Sequence, residues 1–201
     1  MRELLRTLVD WLGTRWWPSA HFEGVYASVA DPWSCETSPY EALKRQRTFD
    51  AIREGQPRGP LLEIGCGQGV LTEMLGSLDH PVVAIDISPT AVQRARHRCA
   101  NQASVRVVQG DVFNHLPPGP FGAIVLAEVL YYLGSSGIRR GLCDKIVDRL
   151  LNTGRIIVVD PWPDSRRIER ALRTRQTLQV IREDVYPDRG RPYAITVYGR
   201  A

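Results

Sequence analysis

The residues best suited to hold a ligand are three glycines at alternate positions, Gly65, Gly67 and Gly69. They follow a short apolar run, 61–64, and precede a segment with helical periodicity, Val70 to Leu78. Glycine has no Cβ and adopts positive φ readily, so a turn of this kind lets a ligand approach the backbone closely. In open α/β sheets, ligands bind outside the carboxyl ends of the strands. The stretch therefore predicts a ligand-binding turn between a buried strand and a helix.

Acidic residues stand at the ends of three further apolar runs. Asp86 comes 21 residues after Gly65, the spacing at which doubly wound folds place a carboxylate on a ribose diol. Asp111 follows the next run, and Glu128 ends the one after it. Core packing does not explain why successive strands deliver glycine or an acid at the same edge, so we expect these side chains to form one site.

Apolar runs that alternate with helical patterns predict a parallel sheet in the middle of the chain. The strands are expected over residues 61–65, 82–87, 105–108, 121–127 and 155–160, the last after a turn at 152–154. The helices between them are expected over residues 70–78, 89–99 and 137–151. Each crossover is long enough for a right-handed βαβ unit. Leu178 to Tyr186 and Tyr193 to Arg200 flank a Pro/Gly turn and predict a final antiparallel pair.

The segments outside this alternation predict helices and a lid. Arg2 to Trp17 has an apolar helical face, and this helix would pack on the sheet edge, cover the site or form a dimer contact. His21 to Tyr40 is rich in aromatic and turn residues, which predicts an irregular lid over the ligand or the core. Glu41 to Ile52 predicts a helix, and Asp164 to Arg175 predicts another with arginines on a solvated face.

Length and composition predict an ordinary globular protein. The 201 residues favour a single domain, 1–201, with N-terminal helices and a lid over 1–58 and the core over 59–201. The net charge of +4 is modest and the 24 arginines are dispersed, so we expect no nucleic-acid partner. Four isolated cysteines predict no metal site and a reduced, cytoplasmic setting. Neither a signal peptide nor a membrane-spanning run is expected.

The site residues resemble those of the class I S-adenosylmethionine-dependent methyltransferases. The resemblance rests on Glu63 to Gly69, Asp86-Ile87-Ser88, Gly110-Asp111 and Ala127 to Leu130. The third glycine comes one residue earlier than in the Gly-x-Gly-x-x-Gly of dinucleotide folds, which favours adenosylmethionine over NAD. The resemblance implies an α/β fold with a Rossmann-like, seven-stranded, mostly parallel sheet, helices on both faces and an antiparallel C-terminal strand pair.

A closer resemblance is to the NodS-like small-molecule methyltransferases. It rests on Asp31-Pro32-Trp33, residues 36–41 and residues 128–133. By this resemblance Trp33 would close the cofactor site and stack against the sulfonium cation. Lys44 would pair with the methionyl carboxylate, although the family often carries an arginine one position earlier, where this chain has Leu43. A solvated helix face is the alternative for Lys44.

The family resemblance also implies which residues hold the methionyl part of S-adenosyl-L-methionine. Gly65, Cys66, Gly67 and Gly69 are expected to lie beneath it. Glu63 is expected to anchor the turn or to reach the amino group through water.

The nucleoside part of the cofactor is assigned in the same way. Asp86 is expected to bind the ribose hydroxyls, and Ile87 to lie against the adenine. Asp111 would accept a hydrogen bond from the adenine amino group, and the backbone N–H of Val112 would donate one to a ring nitrogen.

On the acceptor side, Glu128 is the candidate catalytic residue, because it could accept a proton or hold an ammonium or hydroxyl group. Tyr131 and Tyr132 would wall the substrate pocket or simply pack beneath the lid. His21, in the expected lid, is a candidate base and substrate contact.

The sequence thus predicts a methyltransferase acting on a small-molecule acceptor. N-methylation of an amine, on an amino sugar or a natural product, is the first expectation, and O-methylation is the second. An NAD-dependent oxidoreductase and a non-catalytic protein that binds adenosylmethionine on the same fold are the alternatives.

Overall fold

A computed structural model describes residues 17–187 and 191–201 of the chain. The seven α-helices in this part are Ser19–Ser28 (α1), Pro39–Glu54 (α2), Val70–Leu75 (α3), Pro89–Arg98 (α4), Ser136–Asp148 (α5), Ser165–Ile168 (α6) and Arg170–Arg173 (α7), and a 3₁₀ helix spans Leu130–Tyr132. The seven strands are Leu61–Ile64 (β1), Val82–Asp86 (β2), Val105–Gln109 (β3), Phe121–Ala127 (β4), Leu150–Pro161 (β5), Leu178–Tyr186 (β6) and Tyr193–Arg200 (β7). Residues 2–16, where a further helix is predicted, lie outside the described residues.

The strands form one sheet in the order β3-β2-β1-β4-β5-β7-β6. The five strands from β1 to β5 are parallel, and β7 pairs antiparallel with both β5 and β6. Strand order reverses between β1 and β4, the kind of switch point at which open α/β sheets bind ligands. The predicted seven-stranded, mostly parallel sheet with its final antiparallel pair is confirmed.

Helices cover both faces of the sheet, because its central strands are apolar on both sides. On one face, α5, α6 and α7 pack against residues such as Leu62 and Ile124. On the other face, α2 and α3 pack against Leu61 and Val125, and α4 packs against Ala84. This two-sided burial holds the carboxyl ends of β1, β2 and β4 in fixed positions.

The expected irregular lid, His21 to Tyr40, is wrong in its first part, because α1 runs from Ser19 to Ser28. Gly24 and Val25 give this segment little intrinsic helical preference. Its tertiary contacts supply the stabilisation, since Tyr26 is buried and Glu23 binds the start of α4.

Other boundaries also differ from the prediction. Helix α3 ends at Leu75 rather than at Leu78, and α5 ends at Asp148 rather than at Leu151. Strand β5 begins at Leu150 rather than at Arg155, and the expected turn at 152–154 is taken up as an irregularity of its ladder with β4. The helix predicted from Asp164 to Arg175 is broken at Glu169 into α6 and α7. At this break the buried Glu169 carboxylate accepts a hydrogen bond from the Tyr198 hydroxyl of β7.

None of the helices in the described ranges combines the length and the apolar character that a membrane crossing needs.

Candidate functional site

The glycine turn after β1 has the backbone that only glycine adopts without strain. Gly65, Gly67 and Gly69 have φ angles of 75°, 54° and 82°. A Cβ on Gly69 would lie 2.8 Å from the Cβ of Ala95 and 2.9 Å from its Cα, so α3 and α4 meet only because this side chain is missing. The turn is therefore built for close approach, both to the neighbouring helix and to a ligand above it.

Asp86 joins the glycine turn to α4. Its buried carboxylate accepts hydrogen bonds from the backbone N–H of Gly67 at 2.8 Å and of Ser88 at 2.9 Å. Burial raises the pKa of Asp86 above its ordinary value, although these N–H groups act in the opposite direction. The Ser88 hydroxyl caps α4 by accepting from the N–H of Ala91 at 3.1 Å. Asp86, the residue predicted to bind the ribose hydroxyls, thus lies beside the glycine turn.

Glu63 lies beneath the turn and is fully buried. Its carboxylate accepts a 2.6 Å hydrogen bond from the Thr72 hydroxyl of α3, and burial raises its pKa to about 8. This contact joins the end of β1 to the first turn of α3 across the glycine turn. Such a contact is what anchoring of the turn by Glu63 would require.

The remaining residues predicted for the nucleoside stand at the same sheet edge. The Gly110 N–H donates to the carbonyl of Asp86 at 2.9 Å, which joins the ends of β2 and β3. Asp111 accepts from the N–H of Phe113 and from Asn114 Nδ2, each at 3.0 Å. Val112 is buried, whereas Ile87 is partly exposed.

Tyr26, which the sequence analysis did not single out, lies directly over the glycine turn. A Cβ on Gly67 would be 2.7 Å from the Tyr26 hydroxyl oxygen. Trp33 donates its indole N–H to the same oxygen at 3.2 Å. Tyr26 is part of the aromatic stretch that contains Trp33, and its contact with the turn depends on the unpredicted helix α1.

The lid is held at two places. In the middle of α1, Glu23 accepts hydrogen bonds from the hydroxyls of Ser88 and Thr90 and from the N–H of Thr90. In the last turn of α1 and just beyond it, Arg94 donates to the carbonyls of Tyr26 at 2.8 Å, Val29 at 3.0 Å and Ala30 at 2.8 Å. Both anchors belong to the start or body of α4, so the lid and the Asp86 region form one unit.

The lid is also tied to the glycine turn itself. Asp31, which opens the Asp-Pro-Trp motif, accepts from the N–H of Cys35 at 2.8 Å and from Gln68 Nε2 at 3.0 Å. Gln68 stands between two of the site glycines. These bonds hold Trp33 close to the turn.

Glu128 ends β4 in a conformation rare for a non-glycine residue, with φ of 57°. Its N–H donates to the Val159 carbonyl at 2.7 Å, and its carboxylate forms an ion pair with Lys44. Lys44 also pairs with Glu41 at 2.8 Å and is buried, so it does not lie on a solvated helix face. Its predicted pairing with the methionyl carboxylate stays a prediction.

Four aromatic side chains, those of Phe22, Trp33, Tyr131 and Tyr132, form an aromatic wall near Glu128. The Tyr132 ring contacts Tyr131 at 4.4 Å, Phe22 at 5.3 Å and Trp33 at 6.3 Å between ring centroids. Burial and the nearby Glu128 charge raise the pKa of Tyr131 well above its ordinary value, so its phenol stays neutral. Of the two predicted substrate-pocket tyrosines, Tyr132 is thus in contact with the lid and Tyr131 packs against Tyr132.

His21 lies on the outer side of this wall. Its ring packs against Trp17 at 4.1 Å and against Phe22 at 5.4 Å. Partial burial lowers its pKa, which favours the neutral imidazole. Phe22 stands between His21 and Tyr132, so His21 is the predicted site residue least drawn into the cluster.

The structure therefore brings two groups of predicted residues to one edge of the sheet. The glycine turn, Asp86 and Asp111 form one group, and Glu128, the two tyrosines and Trp33 form the other. Glu41 joins the second group and was missed, because only the folded chain shows that a glutamate of α2 shares Lys44 with the end of β4.

Comparison with known proteins gives a consistent family. The model of the family Nodulation protein S (NodS) matches residues 26–169. The Nodulation protein S of Bradyrhizobium diazoefficiens is 34% identical over 106 residues, which are 53% of this chain and 51% of that protein. This chain spans between 51% and 63% of the length of four such curated relatives.

Solved structures share the fold. The N-methyltransferase NodS from Bradyrhizobium japonicum WM9, in complex with S-adenosyl-L-homocysteine, superimposes with a TM-score of 0.74 at 23% identity, covering 86% of this chain and 92% of that one. The glycopeptide N-methyltransferase MtfA, complexed with sinefungin, gives a TM-score of 0.62 at 17% identity over 77% of this chain and 85% of that one. With the family match covering most of the chain and the class I methyltransferase fold in common, this chain belongs to the NodS family.

Proposed function

We propose that the chain is an S-adenosylmethionine-dependent methyltransferase that methylates an amine nitrogen of a small molecule, such as an amino sugar or a related natural product. The observation that carries the proposal is the pairing of two half-sites at one sheet edge. The positive-φ glycine turn beside Asp86 suits a nucleoside cofactor, and the Glu128 carboxylate beside aromatic rings suits a cationic acceptor.

The residues of the first half-site fit S-adenosylmethionine. Asp86 uses its oxygens to bind two backbone N–H groups, and a carboxylate has lone pairs left for two ribose hydroxyls. Gly67 has no side chain of its own to obstruct a ligand, and the Tyr26 hydroxyl lies over it as a polar group that the ligand can meet. Ile87 and Val112 offer apolar surface for the adenine, and Asp111 offers an acceptor for its amino group.

When bound, this cofactor supplies a methyl group on a sulfonium, from which displacement needs little acid or base assistance. The work of the chain is then to align the acceptor and to exclude water. Tyr26 and Trp33 close over the turn, and the electron-rich face of Trp33 favours a nearby cation. The bonds of Glu23 and Arg94 keep this lid shut over the site.

An amine is the acceptor best matched to the second half-site. The Glu128 carboxylate forms an ion pair with Lys44. It can also bind a substrate ammonium and take up the proton that the amine must lose. Tyr131 and Tyr132 provide ring faces for a sugar or an alkyl ammonium. The descriptions of NodS and MtfA as N-methyltransferases support a nitrogen acceptor.

A small molecule suits the surface charges better than a nucleic acid does. Four of the five arginines in residues 164–175 pair with carboxylates, among them Arg166 with Glu183 at 2.7 Å and Arg173 with Glu169 at 3.4 Å. They therefore do not offer a row of unpaired cations to phosphates.

Methyl transfer to matched sugars tests the proposal. The protein is incubated with S-adenosylmethionine and either glucosamine or glucose, and the products are analysed by mass spectrometry. We expect one methyl group on glucosamine and none on glucose, because only the first has an amine. Methylation of glucose would favour an oxygen acceptor. Tighter binding of NADH than of S-adenosylmethionine in a thermal-shift assay would favour an oxidoreductase.

A further inference from the structure

The ammonium of Lys44 is enclosed by four groups from three parts of the chain: α2, the end of β4 and β7. It pairs with Glu41 one helical turn earlier, at 2.8 Å, and with Glu128 at the end of β4. The rings of Tyr40 and Tyr193 lie 5.1 Å and 5.9 Å from it, close enough for cation–π attraction. Its side chain is only 7% exposed, so these contacts rather than water solvate the charge.

These contacts keep Lys44 charged. Burial by itself would lower the pKa of the ammonium, but the Glu128 charge and the hydrogen bonds to Glu128 and Glu41 outweigh burial and raise it. Because Glu41 and Tyr40 are themselves held by Arg191, the position of the Lys44 charge is also fixed. Arg191 binds the other oxygen of Glu41 at 3.1 Å, and the Tyr40 hydroxyl donates to the carbonyl of Arg191.

Glu128 is a residue that needs such an anchor. Its positive φ directs its side chain away from the path that a regular strand residue would take. The ion pair with Lys44 uses the oxygen Oε2, and 26% of the side chain stays exposed. The carboxylate is thus held from one side and open on another, beside the aromatic wall.

The same geometry argues against Lys44 as a ligand of the cofactor. Two carboxylates already bind its ammonium, so a methionyl carboxylate would be a third negative charge at one cation. Like charges at that distance repel one another strongly in a buried place. Leu43, at the position where relatives often carry an arginine, is exposed and supplies no charge.

We propose that Lys44 is a positioning residue of the acceptor half-site: it fixes the Glu128 carboxylate for a cationic acceptor and does not bind the cofactor. The proposal rests on the proposed function, since it assumes an amine acceptor. Glu128 then binds the substrate ammonium through its other oxygen, Oε1, and the Glu41–Arg191 ion pair keeps Lys44 in place.

Three variants separate this role from cofactor binding. Lys44→Met removes the charge and keeps most of the stem, whereas Lys44→Arg keeps the charge. Arg53→Met is the matched control, because Arg53 is on the same helix in a 60% exposed ion pair with Asp50. Each is titrated with S-adenosylhomocysteine by calorimetry and then assayed with S-adenosylmethionine and glucosamine, after circular dichroism has shown that it is folded.

We expect Lys44→Met to bind S-adenosylhomocysteine as the wild type does, with KM for glucosamine raised by about tenfold or more because Glu128 is no longer held. Lys44→Arg should recover part of that loss, and Arg53→Met should match the wild type throughout. A folded Lys44→Met that loses affinity for S-adenosylhomocysteine by about tenfold would overturn the proposal, since 1.4 kcal/mol is the scale of a lost charged contact. An unchanged KM would overturn it equally.

Failure of the proposed function gives a different result. A wild type that binds no S-adenosylhomocysteine would remove the cofactor and this proposal together. A wild type that binds it but methylates no amine would remove the cationic acceptor, and with it the role given to Lys44.

Discussion

Replacing Gly69 with alanine tests whether the glycine turn is a backbone requirement. Gly69 has φ of 82°, and an added Cβ would lie 2.8 Å from Ala95 Cβ and 2.9 Å from Ala95 Cα. Real Cβ atoms do not approach other carbons so closely, and the second neighbour belongs to the backbone of α4. The helix as a whole must therefore shift to admit the methyl group.

The expected cost of Gly69→Ala has two parts. A non-glycine residue in the left-handed region costs about 1–2 kcal/mol, and forcing a methyl group into a packed contact costs about 1–3 kcal/mol. The variant should therefore lose about 2–5 kcal/mol of unfolding free energy. For a chain of this length each kcal/mol lowers Tm by about 2–4 °C.

Gly141→Ala is the matched control. Gly141 lies inside α5, has no atom within 4 Å of its added Cβ, and belongs to no turn. Alanine there should stabilise the helix by about 0.5–1 kcal/mol. Gly67→Ala should fall between the two, because its Cβ would meet the Tyr26 hydroxyl, the end of a side chain that can move.

Urea denaturation of the three variants measures these differences directly. The order of stability should be Gly141→Ala, then Gly67→Ala, then Gly69→Ala. A Gly69→Ala variant as stable as Gly141→Ala would refute the account of the turn, because neither the backbone angle nor the contact with α4 would then be real constraints.

Three further outcomes are expected. Ser88→Ala should lower the free energy of unfolding, measured with urea, by about 1–2 kcal/mol. Ser38→Ala should lower it by less, because the capping hydrogen bond of Ser38 is longer, at 3.4 Å against 3.1 Å for Ser88. A larger loss for Ser38→Ala would contradict these two capping roles. Glu63 has a pKa of about 8 when folded and 4.5 ordinarily, so the folded state binds the extra proton and stability should fall as the pH rises between these values. Glu63→Gln should remove this fall in stability, so the Tm of the variant minus the Tm of the wild type should increase between about pH 5 and pH 8. A difference in Tm that is the same at both pH values would contradict the raised pKa of Glu63. Arg94→Met should speed hydrogen exchange of α1 amides and leave β4 unchanged, because three carbonyl contacts of the lid are lost; equal protection would show that Arg94 does not hold the lid.

Much of the fold could be predicted from the sequence, because it is encoded locally. The final two strands run from Leu178 to Tyr186 and from Tyr193 to Arg200, as their composition and the turn between them predict. The glycine turn could also be predicted, since three glycines at alternate positions after an apolar run indicate a backbone with positive φ, and all three have it. The resemblance to the NodS family was likewise carried by short contiguous motifs, and the family match confirms it.

What could not be predicted depends on contacts between distant residues. Helix α1 is stabilised by the bonds of Glu23 to Ser88, 65 residues away, and no periodic pattern in 19–28 marks it. The ion pair of Lys44 with Glu128 joins positions 84 residues apart. The resemblance suggested a cofactor contact for Lys44, and only the folded chain brings Glu41 and Glu128 around the same ammonium.

Calorimetric titration of the wild type and of Asp86→Ala with S-adenosylhomocysteine tests whether the ends of β1 and β2 form the cofactor site. The account predicts saturable binding with one molecule per chain, and loss of that binding in a folded Asp86→Ala variant, because the ribose and the glycine turn both depend on this carboxylate. Absence of binding to the wild type, or equal binding to both proteins, would contradict the cofactor site at the ends of β1 and β2.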